Sequence, residues 1–151
     1  MQFDIEKFST ASFEARTAAV DVPDQAGFFK NEKGKKKQKP VFMVRGLTGE
    51  ELASVNEAVQ RNQNLTQLIE GLVSGNGKDK AKAVQEAIGV AGEKVPDDLV
   101  KRFALLRMGC VDPVITQEVA VKLGKAFPTV LYELTNRILQ LTGQGSIVAG
   151  E

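Results

Sequence analysis

The side chains that most often carry catalysis or bind metal ions are nearly missing from this chain. It has no His, and its single Cys is Cys110. Imidazole is the commonest general base near neutral pH and the commonest zinc ligand, so His-dependent triads and zinc sites are excluded. A lone Cys cannot form an internal disulfide, which is typical of proteins from a reducing compartment. The composition therefore indicates a binding protein rather than an enzyme, with no cofactor.

The remaining candidates for acid–base or nucleophilic chemistry have structural explanations. Glu50–Glu51 and Asp97–Asp98 are adjacent carboxylate pairs. Both pairs lie where helices are predicted to begin, and the positive end of a helix favours negative charge. Cys110 ends an apolar stripe and has no His to activate its thiol, so we expect a buried core residue. No converging set of side chains nominates a substrate, a metal or a catalytic residue.

A glycine-rich segment matches a phosphate-binding loop only in part. In Gly75-Asn76-Gly77-Lys78 the lysine is followed by Asp79, where the pattern needs Ser or Thr, and position 72 is Leu, where it needs Gly. A helix rather than a strand is predicted before this segment. The sequence therefore favours a turn between two helices.

The strongest local charge feature is the run from Lys33 to Lys39, in which five of seven residues are lysines. Closely spaced cations displace counterions from a nucleic-acid backbone, and the preceding Phe28 and Phe29 could stack on bases. No helix-turn-helix, RNA-binding sheet or zinc module surrounds the run. The alternative is a solvated loop that keeps the edge of a hairpin from pairing with other strands. Both interpretations stay open.

Charge is unevenly distributed along the chain. Its formal net charge is +1, but nine basic and six acidic residues give +3 up to residue 45, and the rest carries −2. A balance this close to neutral indicates neither a nucleic-acid partner nor a membrane. No apolar run approaches the ~20 residues that span a bilayer, and residues 1–7 lack the pattern of a signal peptide. We expect a soluble protein.

Two segments before residue 46 have strand character. Residues 15–22 end at Pro23, and residues 40–45 are rich in β-branched and aromatic side chains and end at Gly46. They predict a hairpin whose connection, residues 23–39, is long enough to be mobile or partly disordered. Because an isolated hairpin is only marginally stable, it must pack on the helical part or on another subunit.

From Thr48 the pattern is helical nearly to the end of the chain. Thr48-Gly49-Glu50-Glu51 fits a capping box, and the helix that it opens is predicted to reach Gly75, with a kink or break at the polar patch 61–64. Further helices are predicted over residues 80–90, 96–109, 116–127 and 128–141, with a turn at Asp112-Pro113. In the last helix an apolar stripe keeps a 3-4-3 spacing, and it comprises Leu131, Leu134, Ile138 and Leu141. Such a stripe could be a seam between subunits, but at under two heptads it is more typical of core.

These elements predict a mainly α protein: an N-terminal β-hairpin with a long basic loop, followed by a bundle of about five helices. We place the N-terminal arm and hairpin at residues 1–46, the helical bundle at 47–143 and a flexible tail at 144–151, together forming one compact domain. On the residues alone, the chain is a mostly helical binding or assembly protein of the cytosol.

Several short motifs occur in a fixed order along the chain. Residues 42–51 run from a strand-like segment through Arg-Gly-Leu-Thr into a capped helix. The later motifs are Val111-Asp112-Pro113, Ile115-Thr116-Gln117-Glu118, Lys122-Leu123, Phe127-Pro128 and Ile138 to Gly143. In this order they resemble the tail assembly chaperones of long-tailed bacteriophages. The resemblance spans roughly residues 15–143, and the lysine-rich loop is longer and more basic than it requires.

The resemblance implies a function in the cytoplasm of a host bacterium. Such chaperones coat the long helical tape measure protein, keep its apolar surfaces soluble, help to recruit tail tube subunits and are absent from the mature virion. The family often makes a longer product by a ribosomal frameshift, which we expect to fall after Gly143. The implied partners are the tape measure protein, the tail tube protein and further copies of the chain; no membrane is implied. The alternative is a nucleic-acid-binding protein that uses Lys33 to Lys39.

Overall fold

The protein is mainly α-helical, with a small sheet built largely from its N-terminal part, as the sequence predicts. A computed structural model describes residues 1–30, 39–74, 95–143 and 145–147. Its helices are α1 (Ile5–Thr10), α2 (Gly49–Ser74), α3 (Asp97–Gly109), α4 (Gln117–Ala126) and α5 (Pro128–Leu141), with a 3-10 helix at Pro23–Phe28. Its strands are β1 (Phe13–Glu14), β2 (Thr17–Asp21), β3 (Val41–Arg45), β4 (Cys110–Asp112) and β5 (Ser146–Ile147). The helix predicted over residues 80–90 lies outside the described residues.

The predicted hairpin is part of a three-stranded antiparallel sheet. β2 pairs with β3 from Thr17 opposite Arg45 to Asp21 opposite Val41. β4, which follows α3 directly, pairs with the other edge of β3. The sheet order is therefore β2-β3-β4, and the strand from the helical region makes β3 the central strand. A separate two-stranded ladder joins β1 to β5; the sequence analysis predicted neither of these two strands, nor α1.

Local capping signals place the helix starts where the sequence predicts them. The capping box of α2 is formed, because Thr48 N donates to Glu51 Oε1 at 3.0 Å and Glu51 N donates to Thr48 Oγ1 at 3.2 Å. Thr116 caps α4 by accepting from Val119 N at 3.3 Å. Pro128 occupies the first turn of α5, where its missing N–H costs nothing.

The polar patch 61–64 does not interrupt α2, contrary to the prediction. The helix runs unbroken from Gly49 to Ser74. Asn62 Nδ2 donates to the Val95 carbonyl and to Asp97 Oδ1, both at 2.9 Å, and Gln63 Nε2 donates to Asp97 Oδ2 at 2.8 Å. The amides that looked like helix breakers therefore bind the beginning of α3 and hold the two helices together.

The predicted stripe of α5 forms the centre of the core. Leu131, Leu134 and Ile138 are fully buried, and Leu141 nearly so. They pack with Leu105 and Leu106 of α3 and with residues of β3 and α4 in one continuous apolar cluster. The stripe is therefore core rather than a seam between subunits.

The junction between β3 and α2 connects the sheet to the helices. Arg45 donates two parallel hydrogen bonds to Glu51, at 2.8 and 2.6 Å. Gly46 N donates to the Arg16 carbonyl at 3.0 Å, and Leu47 N donates to Thr142 Oγ1 at 3.1 Å. Residues 45–47 thus contact β2, α2 and the end of α5 at once.

Gly46 is required by this close approach. A Cβ at position 46 would lie against the backbone carbonyl of Leu141, which cannot move without displacing α5. We expect Gly46→Ala to lower the free energy of unfolding by about 3 kcal/mol, measured by urea denaturation. Gly49→Ala is the matched control, because a Cβ there meets nothing within 4 Å. Equal stabilities of the two variants would contradict this account.

The Arg45–Glu51 pair makes stability depend on pH. The hydrogen bonds from Arg45 lower the pKa of Glu51 from 4.5 to about 2, so folding favours the ionised carboxylate. This contribution is complete above pH 4.5 and is lost as pH falls towards 2.

We expect Glu51→Gln to lower the free energy of unfolding by about 1–2 kcal/mol at pH 7, allowing for the pair's partial exposure to solvent. The difference from the unsubstituted protein should shrink between pH 4.5 and pH 3 in urea titrations. Glu50→Gln is the control, because it removes the same charge from the same turn without breaking the pair with Arg45. Its stability should stay close to that of the unsubstituted protein over this pH range.

Candidate functional site: an apolar groove

An open groove of about 560 Å³ lies at one end of the sheet. Its walls come from the 3-10 helix, the beginning of β3, the end of β4 and one face of α4. The side chains that line it are mostly apolar and include Phe28, Phe29, Phe42, Ile115, Val119 and Phe127. A cavity of this size and composition is typical of a site that binds apolar groups.

Two aromatic side chains stand at the mouth of the groove. Phe28 is 79% exposed and Phe29 is 38% exposed, although both are large apolar residues. The Phe29 ring packs on Phe42 of β3, with 6.1 Å between the ring centroids. One interpretation of the sequence made these phenylalanines stacking platforms for bases. The structure places them on the wall of an apolar groove. Exposed aromatic side chains beside a concave apolar surface mark an interaction site.

A buried amide in the groove wall has no partner among the described residues. Gln25 is 5% exposed, lines the groove, and makes no hydrogen bond through either Nε2 or Oε1. Leaving a buried polar group unpaired costs about 1–3 kcal/mol. A residue that weakens the folded state in this way is a candidate for a role in binding.

Lysines flank this apolar surface. Among the described residues that line the groove, Lys30 and Lys122 are basic and Asp112 is acidic. The groove therefore presents a small excess of positive charge around an apolar floor. Such a surface favours an apolar segment that carries carboxylates.

A second apolar surface lies at the other end of the sheet. Helix α1 has no buried residue, and Phe3, Ile5, Phe8 and Phe13 are all about half exposed or more. The rings of Phe3, Phe8 and Phe13 pack in sequence, with centroid distances of 5.5 and 5.2 Å. We call these four residues the N-terminal apolar patch. This patch was not predicted from the sequence, although four large apolar residues within eleven positions indicate it.

Cys110 is the buried core residue that the sequence predicts, and both carboxylate pairs lie in the first turns of helices as predicted, although Asp97 and Asp98 in addition bind neighbouring helices. Cys110 is buried in the core, where desolvation raises its pKa to about 11 and keeps the thiol protonated at neutral pH. Glu51 belongs to the capping box and Asp97 binds α2. Asp98 accepts a hydrogen bond from the Tyr132 hydroxyl at 2.6 Å and thereby links α3 to α5.

Arg102 extends this link between α3 and α5. It donates to Thr135 Oγ1 at 2.9 Å, and its guanidinium carbon lies 4.3 Å from the centre of the Tyr132 ring. Its Nε lies 3.6 Å from Asp98 Oδ1. These polar side chains could be mistaken for a binding site, but each of them joins α3 to α5.

Two of the candidate sites from the sequence are not among the residues that the structure describes. The lysines from Lys33 to Lys37 and the segment 75–78 lie outside the described residues. Within the described ranges, no three His, Cys, Asp or Glu side chains come together as metal ligands. No helix in that part of the chain is long and apolar enough to cross a bilayer.

Comparison with protein-family models, with curated proteins and with solved structures finds no match to this chain.

The unpaired amide of Gln25 leads to a stability prediction. Met has nearly the same length and volume as Gln but no polar atoms, so Gln25→Met should raise the free energy of unfolding by about 1–2 kcal/mol. Thermal and urea denaturation measure this change. Gln60→Met is the control, because Gln60 is exposed on α2 and its replacement should change stability little. A clear loss of stability in Gln25→Met would mean that the amide has a stabilising partner.

Proposed function

We propose that this protein is a tail assembly chaperone of a long-tailed bacteriophage or prophage. It binds the tape measure protein, keeps that protein soluble and helps to recruit tail tube subunits. The proposal combines the ordered motifs of the sequence with one structural observation: large apolar side chains are exposed at both ends of the sheet. A protein that coats an apolar client needs exposed apolar side chains, whereas a monomeric enzyme with an enclosed active site does not.

A helical client constrains the kind of contact that the chaperone makes. The backbone groups of an α-helix are hydrogen-bonded within the helix, so such a client offers apolar side chains rather than free amides. Val111 and Val114 suit this contact, because Val111 in β4 is 47% exposed and Val114, two residues after that strand, is 82% exposed. We propose that these valines contribute to the surface that receives the apolar face of the tape measure protein.

Many copies acting along a very long client give strong overall binding from weak individual contacts. Each exposed valine contributes little, but repeated contacts on one continuous helix add through effective concentration. The proposed location is the cytoplasm of the host bacterium, where assembly takes place, and the protein is released before the virion is complete.

Co-expression with the tape measure protein from the same genome tests this proposal. We expect the tape measure protein to be soluble and to co-purify with this chain, and to aggregate without it. Val114→Glu should reduce the co-purified amount several-fold, because a buried carboxylate opposes an apolar contact. Thr129→Glu is the matched control, because it places the same charge at an exposed position on α5. Thr116→Val would not serve as a control, since it removes the cap of α4.

Two results would contradict the proposal. One is a tape measure protein that neither co-purifies with this chain nor gains solubility from it. The other is DNA or RNA binding that weakens steeply with salt and disappears when Lys33 to Lys39 are changed to Gln, which would favour the nucleic-acid alternative. The gene offers a further check: a slippery heptamer near the last codons, an overlapping −1 frame and a very long helical reading frame downstream.

A further inference from the structure

We infer that the groove binds a free carboxylate with a linear acyl chain, such as decanoate or dodecanoate. The chain lies on the apolar floor of the groove, and the carboxylate is attracted by the lysines of the lining. This inference goes beyond the proposed function and does not depend on it, because a chaperone needs no small ligand to coat its client. Its test uses the purified chain alone.

The size of the groove fits a small ligand. Its volume of about 560 Å³ lies within the range of ~300–1,000 Å³ over which cavities enclose most of the surface of a small organic molecule. A helix with its side chains is ~10–12 Å across, so a volume of this size holds only about one turn of it. A helical segment would therefore bury few side chains here, whereas an acyl chain places most of its length against the lining.

The chemistry of the lining favours a hydrocarbon over a peptide backbone. Four phenylalanines line the groove, and they are Phe28, Phe29, Phe42 and Phe127. The accessible surface of the lining is mostly apolar, and the amide atoms of Gln25 contribute almost nothing to it. An extended peptide buried here would leave backbone amides without partners, which is a cost that an acyl chain does not incur.

The arrangement of the aromatic rings suits a flexible chain better than a flat ligand. The rings of Phe29 and Phe42 are tilted by 49° relative to each other, with 6.1 Å between their centroids. Two tilted rings do not form the parallel walls that would stack on both faces of a flat aromatic ligand. A saturated chain makes dispersion contacts with the faces and the edges of rings alike, so it can follow such a surface.

Charged side chains of the lining determine the head group. Lys30 follows the 3-10 helix, Lys122 lies on α4, and Asp112 ends β4. The described lining thus carries two positive charges and one negative charge, which favours an anionic head group over a cationic one. Both lysines are exposed, so their attraction is modest and the acyl chain supplies most of the affinity.

Calorimetric titration of the purified full-length chain with decanoate tests the inference, at concentrations below those at which decanoate forms micelles. We expect saturable binding of one ligand per chain. The affinity should rise about fourfold for each methylene added between octanoate and dodecanoate, because each methylene transfers from water to the apolar lining.

A substitution in the lining assigns this binding to the groove. Val119 is 48% exposed, so Val119→Glu is compatible with the fold, and it places a carboxylate beside the acyl chain. The affinity for decanoate should fall at least about tenfold. Val114→Glu is the matched control, because it makes the same change at an exposed valine that does not line the groove. Urea denaturation of both variants checks that they are folded.

A second substitution tests the head group. Lys122→Gln should weaken the binding of decanoate about threefold, as expected for an exposed ion pair, and should leave the binding of decanol unchanged. Decanol has the same chain length and no charge. Lys125→Gln is the control, because Lys125 is exposed on the same helix and does not line the groove.

Methyl NMR locates the ligand without any substitution. Ile115 lines the groove, Ile138 is buried in the core and Ile5 belongs to the N-terminal apolar patch. Decanoate should shift the methyl signals of Ile115 at concentrations that leave those of Ile138 and Ile5 unchanged.

The inference is overturned if decanoate shows no saturable binding, if its affinity does not depend on chain length, or if the shifts concentrate at Ile5. It is also overturned if Val119→Glu binds decanoate like the unsubstituted chain, or if Lys30→Gln combined with Lys122→Gln has no effect. None of these outcomes involves the tape measure protein. A chain that binds decanoate but does not solubilise that protein would count against the proposed function alone.

Discussion

The short junction at residues 45–47 determines the arrangement of the rest of the structure. Gly46 brings the backbone so close to Leu141 that no side chain fits between them, and Leu47 is hydrogen-bonded to Thr142. The end of α5 is thereby held against the end of β3, while Arg45 holds the first turn of α2. Because β3 is also the central strand, this single connection orients both the helices and the sheet. The strand β3 itself separates the groove, at its Val41 end, from the N-terminal apolar patch near its Arg45 end.

Signals within a few residues of each other predicted the beginnings of α2, α4 and α5 correctly. Thr48 and Glu51 form their capping box because both partners lie in one turn, and Thr116 and Pro128 mark helix starts for similarly local reasons. Contacts between distant residues were not predictable in this way. β4 is a strand only because β3 offers it a free edge, and Asn62 stays helical because Asp97 accepts its hydrogen bond from 35 residues away.

The groove shows the same limit for the candidate site. Phe28 and Phe29 were predicted from the sequence only as possible stacking platforms. The groove that they line depends on the contact of Phe29 with Phe42 of β3 and on the position of α4, which are contacts between distant residues. Gln25 gave no signal, since a glutamine in a loop is normally exposed. Its importance arises only from burial without a partner, and that is a property of the folded structure.

The groove and the N-terminal apolar patch arise from different kinds of contact. The groove depends on long-range contacts, because the 3-10 helix, β3, β4 and α4 each supply part of its lining. The N-terminal apolar patch is local, because its three phenylalanine rings lie within eleven positions of the chain and pack on one another. The shape of the groove is therefore coupled to the packing of the core, whereas the patch depends mainly on residues close to it in sequence.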